Sequence, residues 1–376
     1  MKKSLIALAA LATVGAAQAQ SSVTVYGLFD MGYVNTDYTN IAGATGTTAQ
    51  REIKGLNAGG AAGNGPSASS RLGFRGTEDL GGGLTAGFNY ELGFAPQSSS
   101  NDTASGNGTL ATTPREAKVS LGSRTLGTVQ LGYGTTGLHS TIAGHRALGG
   151  SNFVGDLAYA SDSNSSADQR IHENAVRASG ATYISPVFNG LSARVDIGSS
   201  GDRTDAKTAT AGRNFGVTVN YNKGALSVAA TNHTFYAQTA ADAAATNYKY
   251  QAVSARYNLS SQLALDALYA KRTVENGATR VQSQKDDVVQ AGVKYTMGKT
   301  DLIAMYGVGN GETTAGAGDR ERTGMMLGVF QNFSKRTAVY GLYGKQDMKY
   351  NQAVGSVTAG TKEKVDAYTV GIRHTF

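Results

Sequence analysis

Apolar and polar residues alternate along most of the chain after residue 20, in segments of about ten residues. Near the C-terminus, Tyr368, Val370 and Ile372 alternate with Thr369 and Arg373. A period of two places apolar side chains on one face of a β-strand and polar side chains on the other. No sustained helical periodicity follows the N-terminal segment, apart from short alanine-rich pieces. The pattern therefore predicts an all-β protein whose strands have two chemically different faces.

The connections between the predicted strands alternate between short and long. Gly, Ser, Asn, Asp and Thr dominate the long ones, as turn and loop chemistry requires. The long stretches lie near residues 38–68, 96–113, 135–174, 200–212, 237–247, 273–286, 309–320 and 347–363. Long loops joined through short turns predict hairpins, and hence about sixteen strands.

The first residues have the character of an export signal. Residues 1–3 are basic, residues 5–17 form an apolar run, and Ala17-Gln18-Ala19 matches a small-residue cleavage site. We therefore expect residues 1–19 to be a signal peptide and residues 20–376 to be the mature chain. Removal of the two lysines in the signal lowers the formal net charge from +7 to +5.

The mature sequence favours a transmembrane β-barrel. It contains no apolar run of about 20 residues, the length that a membrane-spanning helix needs. Strands of about ten residues with short turns at one end and long loops at the other are typical of outer-membrane barrels. A closed barrel satisfies every backbone hydrogen bond inside the bilayer, and about sixteen strands leave a water-filled lumen. The alternative is a soluble β-sandwich or lectin array, which would not alternate its connections so regularly.

Composition removes several other classes of protein. The chain has 50 Gly, 4 Pro and no Cys, which excludes a collagen-like repeat, a disulfide framework and a cysteine zinc site. The five histidines lack metal-ligand spacing, so no metal or other cofactor is predicted. Gly298-Lys299-Thr300 resembles the end of a phosphate-binding loop, but Val293 stands where the first glycine belongs. The basic residues are scattered among acids, so no nucleic-acid partner is predicted.

Four segments together resemble the general porins of beta-proteobacteria, of the Neisseria, Bordetella and Burkholderia type. They are residues 22–30, 70–84, 183–190 and 334–340. The terminal Phe376 resembles the signal that the outer-membrane assembly machinery reads. The resemblance implies a homotrimer of sixteen-stranded barrels embedded in the lipid of the Gram-negative outer membrane, with the third long loop folded into each lumen.

Arginines are the candidate residues of the pore wall. Arg71 and Arg75 lie on the polar face of one predicted strand, and Arg115 begins another. The resemblance implies that arginines matching Arg71 and Arg115, with a third after the long inward loop, line the narrowest part of the pore. The third position is open between Arg177 and Arg170. The porins that the chain resembles have this arginine seven residues before the Tyr of the Tyr-x-Ser-Pro segment, whereas Arg177 is six residues before it. This spacing reverses its face unless a bulge intervenes.

The inward loop is expected over residues 135 to about 173. Acids facing the basic wall would create a transverse field, whereas acids pointing elsewhere would leave a net positive constriction; the sequence leaves both arrangements open. The arginine set and the net charge favour a mild preference for anions. The charged and titratable residues of this loop are His139, His145, Arg146, Asp156, Asp162 and Asp168.

The function predicted from the sequence is passive diffusion of ions and small hydrophilic solutes through a mildly anion-selective channel, and not catalysis. Three alternatives stay open. The first is a solute-specific anion channel, and the second is an adhesin or receptor that works through its long loops. The third is an outer-membrane enzyme, which would need a carboxylate/His or Ser/His constellation that the dispersed histidines do not supply.

Overall fold

A computed structural model describes twelve stretches of the chain. They are residues 22–42, 48–57, 67–94, 113–148, 153–158, 171, 177–198, 213–237, 246–276, 281–313, 319–351 and 360–376. The predicted signal peptide, Arg170, Asp162 and Asp168 lie outside the described residues, as do parts of the predicted inward loop.

Seventeen strands and one inward helix make up the fold of the described residues. The strands are β1 (Ser22–Ala42), β2 (Thr48–Asn57), β3 (Arg71–Gly81), β4 (Leu84–Gly93), β5 (Thr113–Ser123), β6 (Gly127–Thr135), β7 (Arg177–Ile184), β8 (Leu191–Gly198), β9 (Arg213–Lys223), β10 (Leu226–Ala237), β11 (Thr246–Asn258), β12 (Leu263–Asn276), β13 (Gln282–Met297), β14 (Thr300–Thr313), β15 (Arg320–Asn332), β16 (Thr337–Tyr350) and β17 (Lys362–Thr375). The helix, α1, spans Gly137–Gly144 between β6 and β7.

The sheet closes on itself as an antiparallel barrel. From β3 onward each strand pairs with the next, and β17 pairs with β1 from Leu28↔Thr375 to Thr39↔Lys364. At the C-terminus, Gly27 and Phe376 exchange two backbone hydrogen bonds of 3.1 Å. Because the first strand pairs with the last, the sheet has no open edge. Strands can cross a lipid bilayer only in such a closed barrel, where their backbone hydrogen bonds are satisfied. The all-β barrel predicted from the alternating pattern is confirmed.

The barrel is sixteen-stranded because β2 and β3 share one position in it. Residues 22–28 of β1 pair with β3, and residues 32–42 of the same strand pair with β2. Asp30 lies where the two partners meet. Its carboxylate accepts hydrogen bonds from Ser67 Oγ (2.6 Å), the Ala68 backbone N–H (2.8 Å) and the Tyr340 hydroxyl. The second strand of the barrel is therefore interrupted, where the sequence predicted one long loop over residues 38–68.

Short turns lie at one rim of the barrel and longer connections at the other. Several strands extend further into the longer connections than predicted: the expected loop over 273–286 shrinks because β12 ends at Asn276 and β13 begins at Gln282. Backbone pairing continues beyond the apolar belt, since a strand above the membrane needs no apolar side chains. The short turns cover residues 82–83, 124–126, 185–190, 224–225, 259–262, 298–299 and 333–336.

The two faces of the strands differ as the alternation predicted. Large apolar side chains are exposed on the outer face, among them Val289, Leu302, Val329 and Ile372. The opposite face points into the lumen and carries the charged residues described below. No helix within the described ranges has the length and apolar character needed to cross a membrane.

Candidate functional site: the pore constriction

The connection between β6 and β7 is anchored to the barrel wall where it leaves the sheet. Thr136 caps α1, and its side chain accepts a hydrogen bond from the His139 backbone N–H (3.2 Å). The carboxylate of Asp196, on β8, accepts the Gly137 N–H at 2.9 Å. A carboxylate at this end of a helix is favourable because the first N–H groups lack partners within the helix. Asp196 therefore fixes the beginning of the inward loop.

Helix α1 packs inside the barrel. Leu138 and Ile142 are fully buried in a cluster with Ala252, Leu268 and Val288, which lie on the inner faces of β11, β12 and β13. This burial removes apolar surface from water and stabilises the loop against that side of the wall. The helix consequently fills one side of the lumen.

His145 follows the helix and is tied to the same wall. Its Nδ1 lies 2.8 Å from Ser254 Oγ, and Ser254 Oγ donates to the Thr141 carbonyl (2.6 Å). Burial, with a smaller contribution from the Arg256 charge, lowers the pKa of His145 from its ordinary value of 6.5. The imidazole is therefore neutral at pH 7 and adds no charge to the pore. His139 lies in the first turn of α1 and is half-buried.

Residues 153–155 bring the loop against the next part of the wall, from β15 to β17. Phe153 and Val154 are buried in a second cluster that includes Met326, Tyr340 and Val365, from β15, β16 and β17. The loop thus contacts one continuous part of the inner wall, from β11 to β17. The prediction that the third long loop folds into the lumen is confirmed for its described part.

In the described part of this loop, Arg146 and Asp156 form an ion pair. Arg146 Nη2 lies 2.6 Å from Asp156 Oδ2, and the two side chains are only 3% and 1% exposed. The Ala147 N–H donates to Asp266 on β12 (3.1 Å). Asp156 is therefore neutralised inside the packed loop and does not present a free carboxylate to the lumen.

Arg71 and Arg75 lie on the inner face of β3. They pair in register with Leu28 and Thr24 of β1, on the face opposite to the exposed Phe74. Four residues of strand separate them by about 13 Å. Arg75 is exposed, with its guanidinium carbon 5.1 Å from the centre of the Tyr26 ring, whereas Arg71 is half-buried. The two side chains place positive charge at two depths along the pore.

Arg115 reaches the inner face through a β-bulge. The β4–β5 register shifts between Glu91↔Glu116 and Leu92↔Pro114, which leaves Arg115 as the extra residue. A bulge re-aims one side chain against the strict alternation of a strand. Arg115 Nε is bonded to the carboxylate of Glu91, which also accepts a hydrogen bond from the Tyr26 hydroxyl (3.0 Å).

Lys118 belongs to the same wall, although the sequence pattern did not single it out. The ladder Arg75↔Asn89↔Lys118 places it in one row with Arg75, two strands away. Its Nζ lies 2.7 Å from Glu116 Oε2. The Glu-x-Lys alternation of residues 116–118 was the available signal, since both positions share the polar face of β5. The inner faces of β3, β4 and β5 thus carry four cations and three carboxylates. The cations are Arg71, Arg75, Arg115 and Lys118, and the carboxylates are Glu91, Glu116 and Asp79, of which Asp79 lies at the short-turn end of β3.

Arg177 lies apart from this wall. The β6–β7 ladder runs without a shift from Thr135↔Arg177 to Thr128↔Ile184, so no bulge reverses its face. Arg177 shares the face of Tyr183, which is exposed on the outside, while its neighbour Ala178 packs against the cluster in the lumen. The register therefore separates Arg177 from the face that carries Arg71. Arg170, the alternative, is outside the described residues.

The remaining predicted features are placed as follows. The Phe376 ring lies 6.0 Å from the Phe29 ring on the outer face, next to the backbone closure at Gly27. Among the described residues, no group of three or more His, Asp or Glu side chains is arranged to hold a metal ion.

Known proteins resemble this chain over its whole length. A family model described as Gram-negative porin matches residues 5–351. Outer membrane porin protein 32 of Delftia acidovorans is 31% identical over 388 residues, covering 100% of both chains. An outer membrane porin protein of Bordetella pertussis is 40% identical over 135 residues, 35% of this chain and 33% of that protein. The solved anion-selective porin from Comamonas acidovorans is 26% identical, with a TM-score of 0.70, over 95% of this chain and 100% of that one. With its closed barrel and its inward loop, the chain belongs to the Gram-negative porin family.

Proposed function

We propose that this outer-membrane porin is a passive diffusion channel that prefers anions, and that Arg71, Arg75, Arg115 and Lys118 form the basic wall of its constriction. As a member of the porin family, it is a channel rather than an enzyme. A pore of this kind selects by size and by the field of the charges at its narrowest part. The field is therefore the quantity on which the proposal depends.

The observation that carries the proposal is the charge balance at the constriction. Away from the short-turn end of β3, where Asp79 lies, the inner faces of β3–β5 have two cations more than carboxylates, since Glu91 and Glu116 offset only part of the four positive charges. The described acid of the inward loop, Asp156, is paired with Arg146. A net positive constriction lowers the energy of an anion there and raises that of a cation. The solved relative from Comamonas acidovorans, described as anion-selective, supports the same sign.

We further propose a homotrimer, on the basis of the family resemblance. The strands from β4 to β8 span only 8–11 residues, whereas those from β10 to β17 span 12–16. A low wall on one side of the barrel gives a neighbouring barrel a surface to pack against. Recognition of Phe376 by the assembly machinery and embedding in outer-membrane lipid belong to the same proposal.

The test is the zero-current potential of the purified protein in a planar bilayer across a tenfold KCl gradient. Steady ohmic steps with a potential of the sign that favours chloride are expected. A cation-selective potential would contradict the role of the basic wall but would still agree with a diffusion channel. No conductance from a correctly inserted barrel would instead favour an adhesin or receptor. Saturation of the current by one organic anion but not by chloride would favour a solute-specific channel.

A further inference from the structure

Three exposed cations lie together at the short-turn rim. Lys299 is in the turn between β13 and β14, and Lys335 and Arg336 are in the turn between β15 and β16. The two turns are neighbours, because the Asn332 N–H donates to the Lys299 carbonyl at 2.8 Å. Lys299, Lys335 and Arg336 take part in none of the ion pairs formed within the described stretches. These two neighbouring turns, with their three cations, are called the cationic turn pair below.

An apolar groove runs along the outer surface of the same strands. It has a volume of about 590 Å³ between β13 and β17, and its walls include Tyr295, Leu302, Val329 and Tyr343. Gly341 opens the groove: a Cβ atom at this position would meet nothing closer than the Thr369 carbonyl oxygen at 3.9 Å. The groove is therefore a space that side chains of the barrel leave empty on the face turned to lipid.

The groove and the cationic turn pair are within the span of one lipid molecule. Leu302 follows Lys299 by three residues, which is about 10 Å along a strand. Between the two features the rim exposes Met297 and Phe333, which are 58% and 59% exposed. Apolar side chains beside unpaired cations match the boundary between acyl chains and phosphate groups. The short turns of outer-membrane barrels face the periplasm, where the inner leaflet consists of phospholipid.

We propose that this face binds an anionic phospholipid, with its phosphate on Lys299, Lys335 and Arg336 and an acyl chain in the groove at Gly341. The uncompensated charge of the three cations favours an anionic headgroup over a zwitterionic one. A second copy of the barrel fits this face less well, because it would bury the same cations without partners, which is costly. The occupant is therefore a lipid of the inner leaflet and not a soluble anion or a protein.

Native mass spectrometry of the detergent-purified protein tests the proposal, with phosphatidylglycerol and phosphatidylcholine of identical acyl chains as probes. The wild type is expected to retain phosphatidylglycerol preferentially. The variant Lys299→Gln/Lys335→Gln/Arg336→Gln is expected to lose that preference. Its affinity for phosphatidylglycerol is expected to fall about fivefold for each cation removed. Gly341→Leu fills the groove and is expected to weaken the binding of both lipids equally.

The matched control is Lys223→Gln, which removes an exposed cation from the end of β9, next to the short turn at residues 224–225 elsewhere on the rim. It is expected to retain the wild-type preference. The proposal is overturned if the triple variant binds phosphatidylglycerol like the wild type, or if Lys223→Gln loses as much as the triple variant. If glycerol phosphate bound as tightly as the intact lipid, the acyl chain would not contribute to binding, which would contradict its place in the groove. Loss of the oligomer in Gly341→Leu with lipid binding unchanged would assign the face to a second copy.

Discussion

Arg146 and Asp156 face each other inside the inward loop, with Arg146 Nη2 2.6 Å from Asp156 Oδ2 and both side chains almost fully buried. Ten residues of chain separate them, so the ion pair closes this part of the loop on itself. Among the described residues of the loop, Asp156 is the acid that could oppose the proposed basic wall, and the pair with Arg146 offsets its charge. The contact therefore stabilises this part of the loop.

Breaking this pair destabilises the loop without reversing selectivity. In Asp156→Asn the Arg146 guanidinium stays buried without its counter-charge, which costs about 3–5 kcal/mol. Single-channel recordings are expected to show frequent partial closures, with the permeability ratio still favouring chloride. A quiet channel with a much larger chloride preference would show instead that Asp156 acts as a free acid at the constriction.

The inward loop packs tightly against β15 at Gly155. Its φ is +97°, and a Cβ atom there would lie 2.1 Å from the Met325 carbonyl oxygen. Gly155→Ala is therefore expected to displace the loop from β15, at a cost of about 1–3 kcal/mol, and to change the single-channel conductance.

Gly144→Ala is the matched control for that displacement, since nothing lies within 4 Å of a Cβ atom at Gly144. It is expected to conduct like the wild type. Equal conductance in Gly155→Ala and wild type would contradict the docking of residues 153–155 against β15.

The contact between Asp196 and the beginning of α1 can be tested separately. Asp196→Asn weakens a charge-assisted hydrogen bond to Gly137 and an ion pair with Arg194 (2.8 Å), together worth about 1.5–3 kcal/mol. Voltage-induced closure is expected at lower voltage than in the wild type. The control is Asp366→Asn, on the outer face, where the carboxylate accepts a bond from the exposed Tyr343. Identical closing voltages in all three proteins would show that Asp196 does not hold the loop.

The register of β7 predicts that Arg177, unlike Arg71, does not contribute to selectivity. Because Arg177 shares the outer face with Tyr183, Arg177→Ser is expected to leave the chloride-to-potassium permeability ratio unchanged. Arg71→Ser, on the inner face of β3, is expected to lower it. Bi-ionic potentials measured on both variants compare them directly, and an equal fall in the ratio would place Arg177 at the constriction.

The strands and their two faces could be predicted because alternation is a local property of the sequence. The break in the second strand could not, since it depends on Asp30 of β1 meeting Ser67 and Tyr340 in space. Nothing in the spacing of residues 38–68 distinguishes a loop from a strand that is interrupted and then resumes.

The charged wall was predictable in part for the same reason. Arg71 and Arg75 follow the alternation of β3, whereas the face of Arg115 depends on a bulge that only the pairing of β4 with β5 reveals. The Arg146–Asp156 pair lies in irregular chain, where residue spacing does not determine which side chains meet. The orientation of the loop acids was therefore beyond the reach of the sequence.

The central claim is that the net positive wall sets the selectivity. The most direct measurement is the zero-current potential of Arg71→Ser/Arg75→Ser beside that of the wild type, in the same KCl gradient. The control is Lys285→Gln/Lys349→Gln, which removes two cations from the outer face of β13 and β16. The account predicts that the potential of the arginine variant shifts toward cation preference while that of the control stays at the wild-type value. An unchanged potential in the arginine variant, or an equal shift in the control, would contradict it.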